Sequence, residues 1–163
     1  MPEFSFLETT AEVSVAFAGF IGIFLVLVSR DGRFAPEESV SIRAIVLTSV
    51  ASVFYSAVPP VLYSLGVTGD TLWRISSGAI GLFGAVVVST TVVPQMLALP
   101  SAERSSVHNL ASVSLATLAL LCCLLNALGW PWAPSWGLYL LTVWLVIAIA
   151  GINFVVLIFR KVL

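Results

Sequence analysis

Between Arg104 and Arg160 the chain runs for 55 residues, Ser105 to Phe159, without a single Asp, Glu, Lys or Arg. A water-soluble domain covers its surface with charged and polar side chains, so a stretch of this kind points to lipid as the solvent. One straight helix of 55 residues would reach about 80 Å, against roughly 30 Å of bilayer hydrocarbon. The stretch must therefore turn, and it holds Trp130-Pro131-Trp132-Ala133-Pro134 near its middle. Two prolines cannot continue a helical ladder and tryptophan prefers the headgroup level, so this corner reads as a short interfacial turn between two spans. The rest of the chain agrees. Of its 163 residues 60% are hydrophobic and 9% charged, where soluble domains carry about 25% charged residues. A water-soluble fold is excluded.

A span needs about 20 apolar residues, and five runs qualify: Thr9 to Ser29, Ser39 to Leu65, Leu72 to Leu99, His108 to Gly129 and Ser135 to Phe159. The separators carry turn chemistry: Arg30-Asp31-Gly32-Arg33 with Pro36, then Gly66 to Asp70, Pro100 to Arg104, and the tryptophan-proline corner. No linker is long enough for a second domain, so residues 1–163 read as one helical unit. No internal repeat stands out, which removes support for an inverted-repeat transporter. Met1 to Thr10 carries Glu3 and Glu8 and no basic residue, unlike a secretory leader, so the first apolar run reads as a retained span.

Lys and Arg are retained on the cytoplasmic side of a membrane. With five spans, Arg30, Arg33, Arg43, Arg104, Arg160 and Lys161 fall on one side, and Arg74 alone falls on the other with the N-terminus. The sequence therefore predicts an all-α polytopic membrane protein with its N-terminus outside and its C-terminus cytoplasmic, most naturally in a prokaryotic cytoplasmic membrane. The net charge of −1 excludes a nucleic-acid partner, which would demand a basic face. The adjacent Cys122 and Cys123 fit neither a redox pair nor a metal site and read as apolar packing. The single histidine, His108, reads with Asn109 as a surface pair at a helix start. With no paired His, paired Cys or clustered carboxylates, no catalytic group, metal or cofactor is expected.

Helices meet in lipid through small residues that let backbones approach. Such stripes run through Ser14, Ala18 and Gly22 in the first span, Ser77, Gly81, Ala85 and Ser89 in the third, and Ala119, Cys123 and Ala127 in the fourth. The second span carries Thr48, Ser52 and Ser56 on one stripe, followed by Pro59-Pro60. Proline has no N–H, so the carbonyls of Tyr55 and Ser56 lose their usual donors and need side chains, water or an ion instead. That predicts a helix break at Pro59 and Pro60. Pro94 frees the carbonyl of Thr90 in the same way.

Glu8 and Glu12 lie four apart and share a helical face. Two readings are open. Glu12 pairs with Arg74 from the third span, or it faces the axis of an oligomer and gathers cations there, since carboxylates inside a span rarely lack a task. Following the face inward gives Glu8, Glu12, Val15, Gly19, Gly22, Val26 and Arg30: acid, then a hydrophobic constriction, then base. This axial order resembles the pore helix of store-operated calcium channels, in electrostatics alone, because that helix starts on the cytoplasmic side of a four-span subunit. Ala18-Gly19-Phe20-Ile21-Gly22, Arg43, Pro59-Pro60 and Trp73-Arg74 also resemble short multi-pass bacterial membrane proteins, a likeness over the first half of the chain that implies no activity. The expectation is a homo-oligomeric small cation-conducting channel with an acidic outer mouth. The rival expectation is a non-catalytic subunit or scaffold of a larger membrane complex, with a secondary transporter behind it.

Overall fold

The structure, a computed structural model, describes residues 2–28, 36–101, 106–130 and 134–162. Five long helices account for it: α1 over Pro2–Val28, α2 over Pro36–Ser64, α3 over Gly69–Ala98, α4 over Val107–Leu128 and α5 over Trp136–Val162. All five are long and apolar enough to cross a membrane, and the described residues contain no strand. The predicted spans and the helices coincide within three residues at every end except the first start. Helix α1 begins at Pro2 and α2 at Pro36, because proline suits the first helical turn, where its missing N–H has no intrahelical acceptor. Residues read from the sequence as lead-in and loop are thus helical.

The turns follow from glycine. Gly66 has φ +88°, and around it the N–H of Val67 bonds the carbonyl of Leu62 while the N–H of Gly66 bonds that of Tyr63, the double closure that ends a helix on a left-handed residue. Gly129, at φ +71°, ends α4 with its own N–H on the carbonyl of Leu125 at 2.9 Å.

Helix α5 is the axis of the bundle and packs against the other four, while α1 lies on α2 and α5, and α3 lies mainly on α4. Two buried clusters run along α5. Tyr139, Val143 and Ile147 meet Leu7, Ala51, Tyr55, Ile80 and Cys123 in one, and Ala150 and Leu157 meet Ile21 and Ile45 in the other. Both cysteines are buried and free, as apolar packing requires. Along the α3–α4 seam, a Cβ on Gly81 would stand 3.0 Å from the Cβ of Cys123, one on Gly84 3.2 Å from Leu120 Cδ2, and one on Gly78 3.9 Å from the Cβ of Ala127. The two helices are antiparallel and as close as glycine permits.

Two buried amides tie helices together, while the buried hydroxyls of Ser49 and Ser76 have no hydrogen-bond partner among the described residues. The Asn126 amide donates to Ser77 Oγ at 2.7 Å and to the carbonyl of Ser135, whose own N–H returns a bond to Asn126 Oδ1 at 2.8 Å. One side chain thus ties α3, α4 and the start of α5. Asn153 of α5 donates to Ser112 Oγ of α4 at 3.0 Å and to the carbonyl of Ile149.

Candidate functional site

On α1, residues 7, 10, 14 and 21 point into the bundle, with Leu7, Thr10, Ser14 and Ile21 all buried. The hydroxyls of Thr10 and Ser14 donate to the carbonyls one turn back, those of Phe6 and Thr10, so they enter the core without an orphaned donor. Glu8, Glu12, Val15, Gly19 and Gly22 lie on the other side of the helix and all are exposed. Val15 keeps 59% of its surface free, and a Cβ on Gly19 or Gly22 would meet nothing within 4 Å. The five residues predicted as one face are therefore one face, turned away from the protomer's own helices. The side chain of Val26, and Arg30 altogether, lie outside the described residues.

Arg74 does not pair with Glu12. Helix α1 packs on α2 and α5, with no comparable seam against α3, and the Arg74 Nη2 instead lies 2.9 Å from where a Cβ on Gly129 would stand. That position is the C-terminal end of α4, whose free carbonyls attract a cation. Gly129 is thus fixed twice, by its positive φ and by the arginine beside it.

Pro59 is fully buried and Pro60 half-buried, yet α2 remains one helix from Pro36 to Ser64. The carbonyl of Tyr55, which loses the Pro59 donor, accepts a hydrogen bond of 2.6 Å from the Tyr139 hydroxyl of α5. The predicted break is thus a gap in the ladder, filled by a neighbouring helix. On the same helix the hydroxyls of Thr48, Ser52 and Ser56 donate to the carbonyls of Ala44, Thr48 and Ser52, so the stripe is satisfied from within.

Pro94 has a larger effect. The turn Val88–Val92 is a π-helix, in which the N–H of Val93 reaches back five residues to the carbonyl of Val88. The missing Pro94 N–H and its ring against the Thr90 carbonyl explain the widening. The hydroxyls of Ser89 and Thr90 both turn to the carbonyl of Val86. Beyond this turn the Val88–Ala98 segment makes no packing seam with α2 or α4 comparable to that of Gly69–Val87. Behind it lies a cavity of about 300 Å³ between α2, α3, α4 and α5, walled almost wholly by carbon. Arg43, Gln95, Asn109 and Asn153 line one end of it, and Thr48, Tyr55 and Thr142 line it further along. Asn109 was expected at the surface but is 6% exposed, because it faces this cavity rather than the outside of α4. Among the described residues no group of three His, Cys, Asp or Glu side chains could hold a metal ion.

A helical chain with five apolar helices of spanning length has the make-up of a multi-pass membrane protein. No protein-family model, curated protein or solved structure matches the chain.

Proposed function

We propose that the chain acts as a homo-oligomer in the membrane, that copies meet through the outward face of α1, and that the shared axis so formed conducts small cations. The observation that carries this reading is the placement of Glu8 and Glu12 on that exposed face, within the apolar window Phe4–Phe24. Glu12 sits one turn, or about 6 Å, further along the helix than Glu8. A charge held against hydrocarbon costs roughly 2.5–3.5 kcal/mol by insertion measurements, and the bare Gly19 and Gly22 on the same face give up packing. Covering the face with other copies removes both penalties. Around a closed axis the repeated carboxylates form a negative mouth, and Val15 with the glycines forms a narrow apolar throat. In this reading the acidic end lies outside and the basic end faces the cytoplasm.

A second reading rests on the same face. Inward of Glu12 its described side chains are all uncharged, Val15, Gly19 and Gly22 with the exposed Phe20 and Ile23 beside them, a surface equally suited to an unlike membrane helix bearing a basic group. The chain would then be a non-catalytic subunit.

Flux from reconstituted liposomes separates the two. The channel reading expects cation flux above that of empty liposomes. It expects Glu12→Gln to lower that flux by roughly tenfold at low ionic strength, with the gap closing as salt screens the mouth. A correctly assembled wild-type protein that conducts nothing across a range of voltage, pH and calcium would leave the subunit reading.

A further inference from the structure

We propose that the cavity between α2, α3, α4 and α5 is a lipid site, holding one acyl chain of an anionic phospholipid whose phosphate sits against Arg43. The site shares no element face with the outward surface of α1, so it stands or falls independently of the channel reading.

The cavity exists for a local reason. The glycine seam holds α3 on α4 at Gly81 and Gly84, against Cys123 and Leu120, and Gly84, Leu120 and Cys123 form part of the cavity wall. The π turn that Pro94 imposes then carries Val88–Ala98 off its neighbours. Bulk on either side of the gap is modest, with Ala44, Ala51, Ala116 and Ala119 on the walls.

Its chemistry selects the occupant. At about 300 Å³ it is twice the size of an apolar cavity of ~150 Å³ that stays dry and takes up benzene. Its walls are almost wholly carbon, which suits hydrocarbon better than water, since a held water needs two to four polar partners. Its length also fits. The wall on α2 runs from Val40 past Arg43 to Tyr55, fifteen residues or about 22 Å, enough to take an acyl chain along the roughly 15 Å of hydrocarbon in one leaflet. Arg43 stands five residues inside the start of the apolar span Glu38–Ser64, near the end of the helices where a headgroup would be. There the Asn153 amide is occupied by Ser112 and Ile149, and Glu38, on α2 before Arg43, is buried. Arg43 is exposed and forms no ion pair among the described residues. A guanidinium takes two phosphate oxygens at once, so a cation at the mouth of a hydrocarbon slot matches a phospholipid with net negative charge.

Native mass spectrometry of the purified full chain, titrated with phosphatidylglycerol or phosphatidylcholine, tests the site, with Arg43→Gln, Arg43→Lys and Ala116→Phe as variants. We expect one tightly held phosphatidylglycerol per chain and weaker phosphatidylcholine. Arg43→Gln should weaken phosphatidylglycerol about fivefold, the equivalent of ~1 kcal/mol for one basic side chain at an anionic headgroup, and Arg43→Lys should recover most of it. Ala116→Phe should expel the lipid while the thermal unfolding of the chain in lipid-free detergent stays that of the wild type. Equal binding of the two lipids, phosphatidylglycerol binding that ignores both Arg43→Gln and Ala116→Phe, or co-purification of a neutral isoprenoid in place of phospholipid would each overturn the proposal.

Discussion

The bond from the Tyr139 hydroxyl to the Tyr55 carbonyl exists because Pro59 removed the ordinary donor. Removing the hydroxyl strands a buried carbonyl, so Tyr139→Phe should cost about 1–2 kcal/mol of stability in detergent. Pro59→Ala gives the carbonyl back its own N–H. The double variant should therefore lose less than the sum of the two single ones, and additive losses in thermal or denaturant unfolding would show that the two sites are not coupled. Half of this arrangement is legible in the sequence. Proline at 59 names the Tyr55 carbonyl as the group in need, but its donor lies 84 positions away and no local rule points to it. The asparagines could have been found. The chain has three, Asn109, Asn126 and Asn153, all inside the uncharged stretch, and all three are buried; Asn126 and Asn153 each reach a serine on another helix, as an amide within a span tends to.

At the scale of the helix, the small-residue stripes divide. Ser77 and Gly81 do face α4, and Cys123 and Ala127 of α4 face them in return, but Ala85 and Ser89 of the same predicted stripe are exposed. A row of every fourth residue drifts by about 40° per step around a helix of 3.6 residues per turn, so a stripe that begins on a seam walks off it. The seam instead follows Gly78, Gly81 and Gly84, and the π turn then rotates everything beyond. The same drift explains α1, where Ser14 is buried, Ala18 half-buried and Gly22 exposed. Gly81→Leu should break the α3–α4 seam and lower thermal stability by at least about 2–3 kcal/mol, as overpacking of a tight contact does. Gly22→Leu has open space in the protomer and should leave stability alone while changing the size of the assembled particle. Size-exclusion and unfolding profiles in mild detergent check both, and a Gly22→Leu chain that unfolds like Gly81→Leu would place Gly22 inside the protomer after all.

For the molecule as a whole, periodicity and charge placed five helices well, since hydropathy, proline and glycine act locally. The cavity was not legible, because it depends on how far Pro94 swings one helix end from two others. Orientation rests on six basic residues against one. A cysteine at Val67, in the turn after α2, should react with an impermeant thiol reagent added outside cells. One at Ser101, at the opposite ends of the helices, should stay unlabelled, and the reverse pattern would invert the proposed sidedness, Glu12 included.

The claim on which the account turns is that copies of the chain meet through the outward face of α1. Thiol cross-linking in native membranes reads it directly, with little background because Cys122 and Cys123 are buried. Val15→Cys should give a covalent dimer on brief treatment with a short bifunctional thiol reagent, whereas Leu124→Cys, equally exposed but on α4, should not. A Val15→Cys chain that remains monomeric while Leu124→Cys cross-links would contradict the account and move the interface to α4.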